Sequence, residues 1–327
     1  MSSENISTSQ NKKTIIVNGY ATEDITRASL DRWAEDLTYV SYYSYGFNAE
    51  GELIPMDDEE LIRSAFDSGI APLMVLTPFD DTGVYNYGLA KVVFTNPSIR
   101  DRLINNVVLT ATEKNYYGVV INFGAIATDD RDQFVITVSK TSARMNRAGK
   151  LVIVSIVPGV NDGGIDYESL SRAANFLELR MFYWEQANDP PSAVSPIDKV
   201  REKLAYMMTI INPQSILLGL SNYGFDWRLP FVQGPPAEII PHIEAVERAQ
   251  RMGAMVSYNE ILQSPYYNYI NLTGSSHEVW YEDARSIRVK LELVYEYDLA
   301  GVSIWTIMNP FPVFTETVNE LFTVFKV

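Results

Sequence analysis

The residues of this chain that can do chemistry are few and unevenly placed. There are two histidines, His242 and His277, and no cysteine in 327 residues. Two distant imidazoles without a thiolate make a poor metal set, and no disulfide can form. Neither a glycine-rich phosphate loop nor a serine in a nucleophile elbow is present, so no cofactor is expected. What remains is carboxylates, amides and aromatics. Asp129, Asp130 and Glu185 fall in loop-like stretches, where surface carboxylates are ordinarily just solvated. Tyr20, Tyr42, Tyr43 and Tyr45 gather at the ends of two apolar runs near the N-terminus. With 20 tyrosines in the chain, several are expected to line a binding mouth and most to pack as amphipathic core-edge residues.

Eight short apolar runs must position these groups: Thr14–Val17, Leu37–Tyr43, Pro72–Thr77, Gly118–Phe123, Leu151–Ile156, Leu179–Tyr183, Ser215–Leu220 and Gly301–Thr306. Each is near-continuously apolar rather than alternating, as parallel strands covered on both faces are. Helical patterns lie between them, at Asp58–Asp67, Pro97–Glu113, Arg131–Ala148, Ile197–Ile211, Asp283–Tyr297 and Phe314–Phe322. Eight strands alternating with helices predict an α/β fold, a (β/α)8 TIM barrel over 14–327, with an open doubly wound sheet as the alternative. Between Tyr223 and Tyr281 the rhythm breaks. Prolines 230, 235, 236 and 241, a helical stretch near Ile243–Met252 and three aromatic strand-like pieces predict a small α+β insertion at 224–280. The strand-like pieces are Met255–Tyr258, Tyr266–Ile270 and Glu278–Tyr281. Asn271-Leu-Thr-Gly274 reads as a hairpin turn within that insertion.

The charge balance narrows the partners. Lys and Arg number 26 against 41 Asp and Glu, a net charge of −15, which repels nucleic acid and anionic membrane surfaces. No apolar run reaches membrane-spanning length, so no membrane insertion is expected. Residues 1–13 are polar, without the apolar region of a signal peptide, and read as a disordered lead-in. The expectation is a cytosolic protein, or one that leaves its cell outside the secretory route.

Several stretches together carry a resemblance. Leu220-Ser-Asn-Tyr-Gly-Phe-Asp-Trp-Arg-Leu-Pro230 resembles the end of strand seven in family-18 glycoside hydrolases. It is most like their spore cortex-fragment-lytic branch, which reads P-x-Y-G-Y-D-W-x-L-P there. Gln263-Ser-Pro-Tyr-Tyr-Asn-Tyr269 and His277-Glu-Val-Trp-Tyr-Glu-Asp-Ala-Arg-Ser286 are similar to that branch's insertion and following helix. Pro190–Asp198 resembles its loop after strand six. Gly301-Val-Ser-Ile-Trp305, followed by Pro310-Phe-Pro312, resembles its eighth strand. The similarity runs from about residue 14 to the end. It implies a chitinase-like barrel with an insertion domain, a ligand containing N-acetylglucosamine such as peptidoglycan or chitin, and association with sporulation. By the same resemblance the protein is placed in the mother-cell cytoplasm and then on the spore surface, in contact with glycan or with spore-surface proteins. The peptidoglycan-binding repeats that often precede such barrels are not seen.

The resemblance also assigns roles. Family-18 catalysis is substrate-assisted: a Glu ending strand four protonates the glycosidic oxygen, and the substrate's own acetamido oxygen attacks. The strand-four motif reads roughly D-G-x-D-x-D-x-E. Here Gly118-Val-Val-Ile-Asn-Phe-Gly124 puts Val120, Asn122 and Gly124 at its three inner carboxylate positions. Gly124 stands at the acid, and Asn122 at the Asp that stabilises the oxazolinium. The expectation is a pseudoenzyme that binds sugar without cutting it. Candidate sugar contacts are Trp305 as an aromatic floor, Tyr183, Tyr223, Asp226, Asn122 and Tyr20, with Asp226 equally able to brace the insertion. Two alternatives stay open: an active N-acetylglucosaminidase using a relocated acid among Asp129, Asp130 and Glu185, and a purely structural assembly or spore-coat subunit. Asn122→Asp with Gly124→Glu is expected to restore activity if the cleft is preserved. Glu282-Asp283 matches an acidic pair in the family, and a helix N-cap explains it without a ligand.

Overall fold

The computed structural model describes residues 12–159, 162–182 and 187–327. In chain order they form β1 (Lys13–Thr22), α1 (Arg27–Arg32), β2 (Tyr39–Tyr45), α2 (Glu59–Asp67), β3 (Ala71–Leu76), α3 (Tyr87–Thr95), α4 (Pro97–Glu113) and β4 (Gly118–Ile121). They continue with α5 (Arg131–Arg147), β5 (Leu151–Ile156), α6 (Tyr167–Ala173), β6 (Phe176–Arg180), α7 (Ile197–Met207) and β7 (Ile216–Ser221). The insertion follows as β8 (Tyr223–Leu229), β9 (Glu238–Pro241), α8 (His242–Arg251), β10 (Ser257–Asn259), β11 (Ser264–Ile270) and β12 (Ser276–Trp280). The chain ends with α9 (Ala284–Glu296), β13 (Gly301–Trp305), α10 (Pro312–Leu321) and β14 (Phe322–Val324).

Strands β1 to β7 and β13 are parallel neighbours, and β13 pairs back onto β1, with Ile16 opposite Gly301 and Gly19 opposite Ile304. That closure makes the barrel and excludes the open sheet. β14 adds a short parallel pairing at the foot of β1. The insertion is an antiparallel sheet in the order β10-β11-β12-β8-β9, with α8 packed on it.

Period-two alternation divides the core. Along β4, Val119 and Ile121 turn outward into the large cluster beneath the helices, while Val120 turns inward with Leu73, Val75, Ile153 and Leu217. The barrel is filled, as small barrels of this kind are. A polar group is set among the apolar residues of the plug: Ser41 donates to the Asn18 side-chain oxygen (2.8 Å), whose amide donates to Ser303 (3.2 Å).

The sixth strand corrects the sequence reading. Leu179–Tyr183 was the apolar run, whereas β6 begins at Phe176 and ends at Arg180. Leu177 and Leu179 face the helices, so Glu178 and Arg180 point into the barrel. Two inward charges broke the apolar signal that marks a covered strand. Strands β8 and β9 and the short helices α1, α3 and α6 also lacked a usable pattern. At α9 the N-cap is Asp283 alone. It accepts from the Arg285 and Ser286 amides, and Ser286 returns the bond. Glu282 is instead buried against Lys290, at 2.7 and 2.9 Å.

Candidate functional site

The C-terminal ends of the barrel strands, where such folds carry their chemistry, surround a cavity of about 270 Å³. Tyr43 reaches it from β2, Thr77 from just past β3, Asn122 and Gly124 from just past β4, and Arg180 from β6. Tyr85, Ile156, Val157 and Ile165 complete most of the wall. Asn122 is part of its wall and only 5% exposed. Its side-chain oxygen accepts from Arg180 at 3.1 Å. Its amide lies 3.4 Å from the Tyr43 hydroxyl and 3.5 Å from that of Thr77. Ser44 in turn donates to Thr77 at 2.7 Å. Burial pushes the Tyr43 hydroxyl above its ordinary pKa, and the Arg180 charge holds the rise back, so Tyr43 is a neutral donor and acceptor.

Gly124 has φ +69°, in the left-handed region that side chains disfavour. A β-carbon there would meet the Tyr85 hydroxyl at 2.8 Å and its ring carbons at 3.2 Å. That hydroxyl donates to the Phe123 carbonyl at 2.8 Å. The phenol therefore lies over residue 124, in space that a longer side chain would need. Among the described residues lining the cavity there is no carboxylate.

An aromatic group adjoins the cavity. The half-buried Trp305 lies 5.0 Å from Tyr43, edge-on at 83°, and 5.3 Å from Tyr20. Tyr20 is 2% exposed, and its hydroxyl donates to the fully enclosed Glu178. Burial raises the Glu178 pKa, opposed by the Arg180 charge and the Tyr20 bond. Burial likewise holds Tyr20 well above the ordinary phenol range, with Glu178 adding to it. This pair sits inside the barrel, outside the cavity wall.

The structure thus brings Asn122, Gly124, Trp305 and Tyr20 to one end of the barrel, with Val120 a layer below. Tyr183 and Glu185 lie outside the described residues. Tyr223 packs edge-on to Phe182 and Phe225 at the root of the insertion. Asp226 is inside the insertion sheet, its side chain 1% exposed, bound by Arg248, by His277 at 2.7 Å and by Tyr269 at 2.6 Å. Asp129 is exposed, and Asp130 accepts from Tyr87 at 2.7 Å; neither lines the cavity. Sequence reasoning missed Arg180, Thr77 and Tyr85. The signal for Arg180 was available: a charge two residues beyond Glu178, on the same face of one strand.

A filled eight-stranded barrel with an antiparallel insertion after its seventh strand, and a cavity of mixed polar and apolar lining at its C-terminal mouth, defines a (β/α)8 barrel with an insertion domain. The chain belongs to the glycosyl hydrolases family 18, whose family model matches residues 15–309. A cortical fragment-lytic enzyme of Bacillus anthracis is 31% identical over 299 residues, covering 89% of this chain and 69% of that protein. The spore cortex-lytic enzyme SleL of Bacillus cereus superimposes with a TM-score of 0.91 at 29% identity, covering 97% of this chain and 76% of that one. A chitinase from Chromobacterium violaceum, 24% identical, shares the fold with a TM-score of 0.87 over 94% of this chain and 98% of its own. Among the described residues no helix is long and apolar enough to cross a membrane.

Proposed function

We propose that the barrel mouth binds a glycan containing N-acetylglucosamine and that its hydrolytic step is lost or vestigial. The observation that carries this reading is Gly124. It stands at the acid position of the family motif, in a left-handed backbone and beneath the Tyr85 ring. Asn122, at the position of the stabilising Asp, can hydrogen-bond but offers no charge to an oxazolinium. General acid catalysis contributes ~10²–10⁴-fold, and charge stabilisation adds a comparable factor. What survives suits binding: an indole for the apolar face of a sugar, with hydroxyl and amide groups for its rim. A role among sporulation proteins follows the relatives' names, and a place on the spore surface belongs to the same proposal.

A second reading has its own support. Relatives spanning most of the chain are named as lytic enzymes, which favours an active N-acetylglucosaminidase with a relocated acid. Turnover of a chromogenic N-acetylglucosamine glycoside separates the two. Absence of product, with heat of binding to chitooligosaccharides, supports the binding reading. Product from the unmodified chain replaces it with the enzymatic one, and no heat at all leaves a structural subunit.

A further inference from the structure

Tyr85 fills the space in which a longer side chain at position 124 would lie. It comes from the loop between β3 and α3, lines the cavity and is 42% exposed. Its hydroxyl stands 2.8 Å from the place of a β-carbon on Gly124 and donates to the Phe123 carbonyl at 2.8 Å. The loop holds it there. The Asp80 amide donates to the Val84 carbonyl at 3.0 Å, and the Asn86 amide to that of Pro78 at 2.8 Å. The Asp80 carboxylate accepts from the Thr82 and Val84 amides at 3.0 and 3.1 Å. Burial raises the Tyr85 pKa above the ordinary 10, so the phenol keeps its proton. With that proton directed at Phe123, the oxygen still has lone pairs with which to accept.

We propose that Tyr85 selects the reducing end of a glycan: the cavity takes the terminal N-acetylglucosamine, and the phenol oxygen accepts from its free anomeric hydroxyl. The inference rests on the glycan-binding reading and adds to it which unit of the chain is held. Three physical points support it. First, a glycosidase's general acid faces the leaving-group oxygen on C1 of the held sugar. The space beside position 124, where that acid would stand, is therefore the space beside C1, and here a phenol fills it. A second sugar beyond C1 competes with that ring for room, whereas a hydroxyl does not. Secondly, the cavity of about 270 Å³ lies below the ~300–1,000 Å³ of sites that enclose drug-sized ligands, and it suits one ring rather than two. Thirdly, a free C1 hydroxyl is a donor and a glycosidic oxygen is not. An acceptor at this place tells a chain end from an interior unit by chemistry as well as by size.

The test is calorimetry on the intact chain with N,N′-diacetylchitobiose, its methyl β-glycoside and its 4-methylumbelliferyl β-glycoside. The first has a free C1 hydroxyl. The other two cap it, one with a small group and one with a bulky group. Loss of the donor predicts about tenfold weaker binding of the methyl glycoside, and the umbelliferyl glycoside gives no heat. Tyr85→Phe keeps the ring and removes the acceptor, so the free and methylated sugars bind alike while the bulky one stays excluded. Tyr85→Ala removes both effects and brings the three affinities together. Either capped sugar binding the unmodified chain as tightly as the free disaccharide overturns the proposal while leaving glycan binding intact, whether or not the variants fold. So does discrimination that survives Tyr85→Ala. Silence from all three ligands overturns the glycan reading itself, and this proposal with it.

Discussion

Gly124 has a φ of +69°, and the Tyr85 hydroxyl stands 2.8 Å from where a β-carbon would lie. Replacing it by Glu asks a side chain to adopt a left-handed backbone, at a cost of about 1–2 kcal/mol, and to displace a phenol. The double change Asn122→Asp with Gly124→Glu is therefore expected to fall by at least that amount in urea melts and to show no turnover. Adding Tyr85→Ala clears the space, and any recovered hydrolysis should appear only in the triple variant. Turnover by the double variant alone would show that Tyr85 yields freely. Glu178 offers a second check at this scale. Its pKa is raised by burial above the ordinary 4.5, so its contribution to stability is fully present below that value. The contribution is lost as pH rises through the folded-state pKa. Glu178→Gln keeps an acceptor for Tyr20 but has no such loss. As pH rises above 4.5 its stability relative to the parent should rise, and parallel stability curves would contradict the shift.

At the scale of elements, β4 and β5 were legible because both their faces are apolar, and α4 because Asn96 and Pro97 mark its start. β6 was misplaced because its inward face carries Glu178 and Arg180. The features that make it functional removed the signal that makes a strand visible. Likewise β8 and β9 belong to a half-exposed antiparallel sheet with polar and proline-rich flanks. The insertion holds its own charge cluster, and Arg248 is its hub. It reaches Asp226, Glu238 at 2.8 Å and Glu244 at 3.0 Å. Arg248→Met leaves Asp226 buried without its main counter-charge. It should cost about 3–5 kcal/mol, read as faster amide exchange confined to β8, β11 and β12; exchange unchanged there would show the cluster to be dispensable. His242, opening α8, is 8% exposed and packs 4.8 Å from Phe311. Burial lowers its pKa from 6.5 to about 4. Its contribution is therefore present above pH 6.5 and lost as pH falls towards 4, a span of roughly 3 kcal/mol. His242→Leu should remove that part of the acid sensitivity. A variant with an unchanged pH profile would contradict it.

For the whole molecule, the barrel and its insertion were readable from the spacing of apolar runs and from the interruption after the seventh. The mouth was readable in part. Asn122 and Gly124 line the cavity, and Trp305 and Tyr20 stand at the same end of the barrel. Asp226 is placed in the insertion's own cluster, where antiparallel pairing that the sequence does not display sets it opposite Val279. Arg180 and Tyr85 needed the closed barrel to bring β6 and the loop after β3 to one cavity. The chain is a family-18 scaffold, and we propose that its mouth holds a glycan without cutting it. The most direct measurement follows one N-acetylglucosamine oligomer through prolonged incubation with excess unmodified chain. The account predicts that calorimetry registers binding and that mass spectrometry recovers the oligomer at its original length. Shortened oligomers with new reducing ends, released by the purified chain and absent when it is heat-denatured, would contradict it.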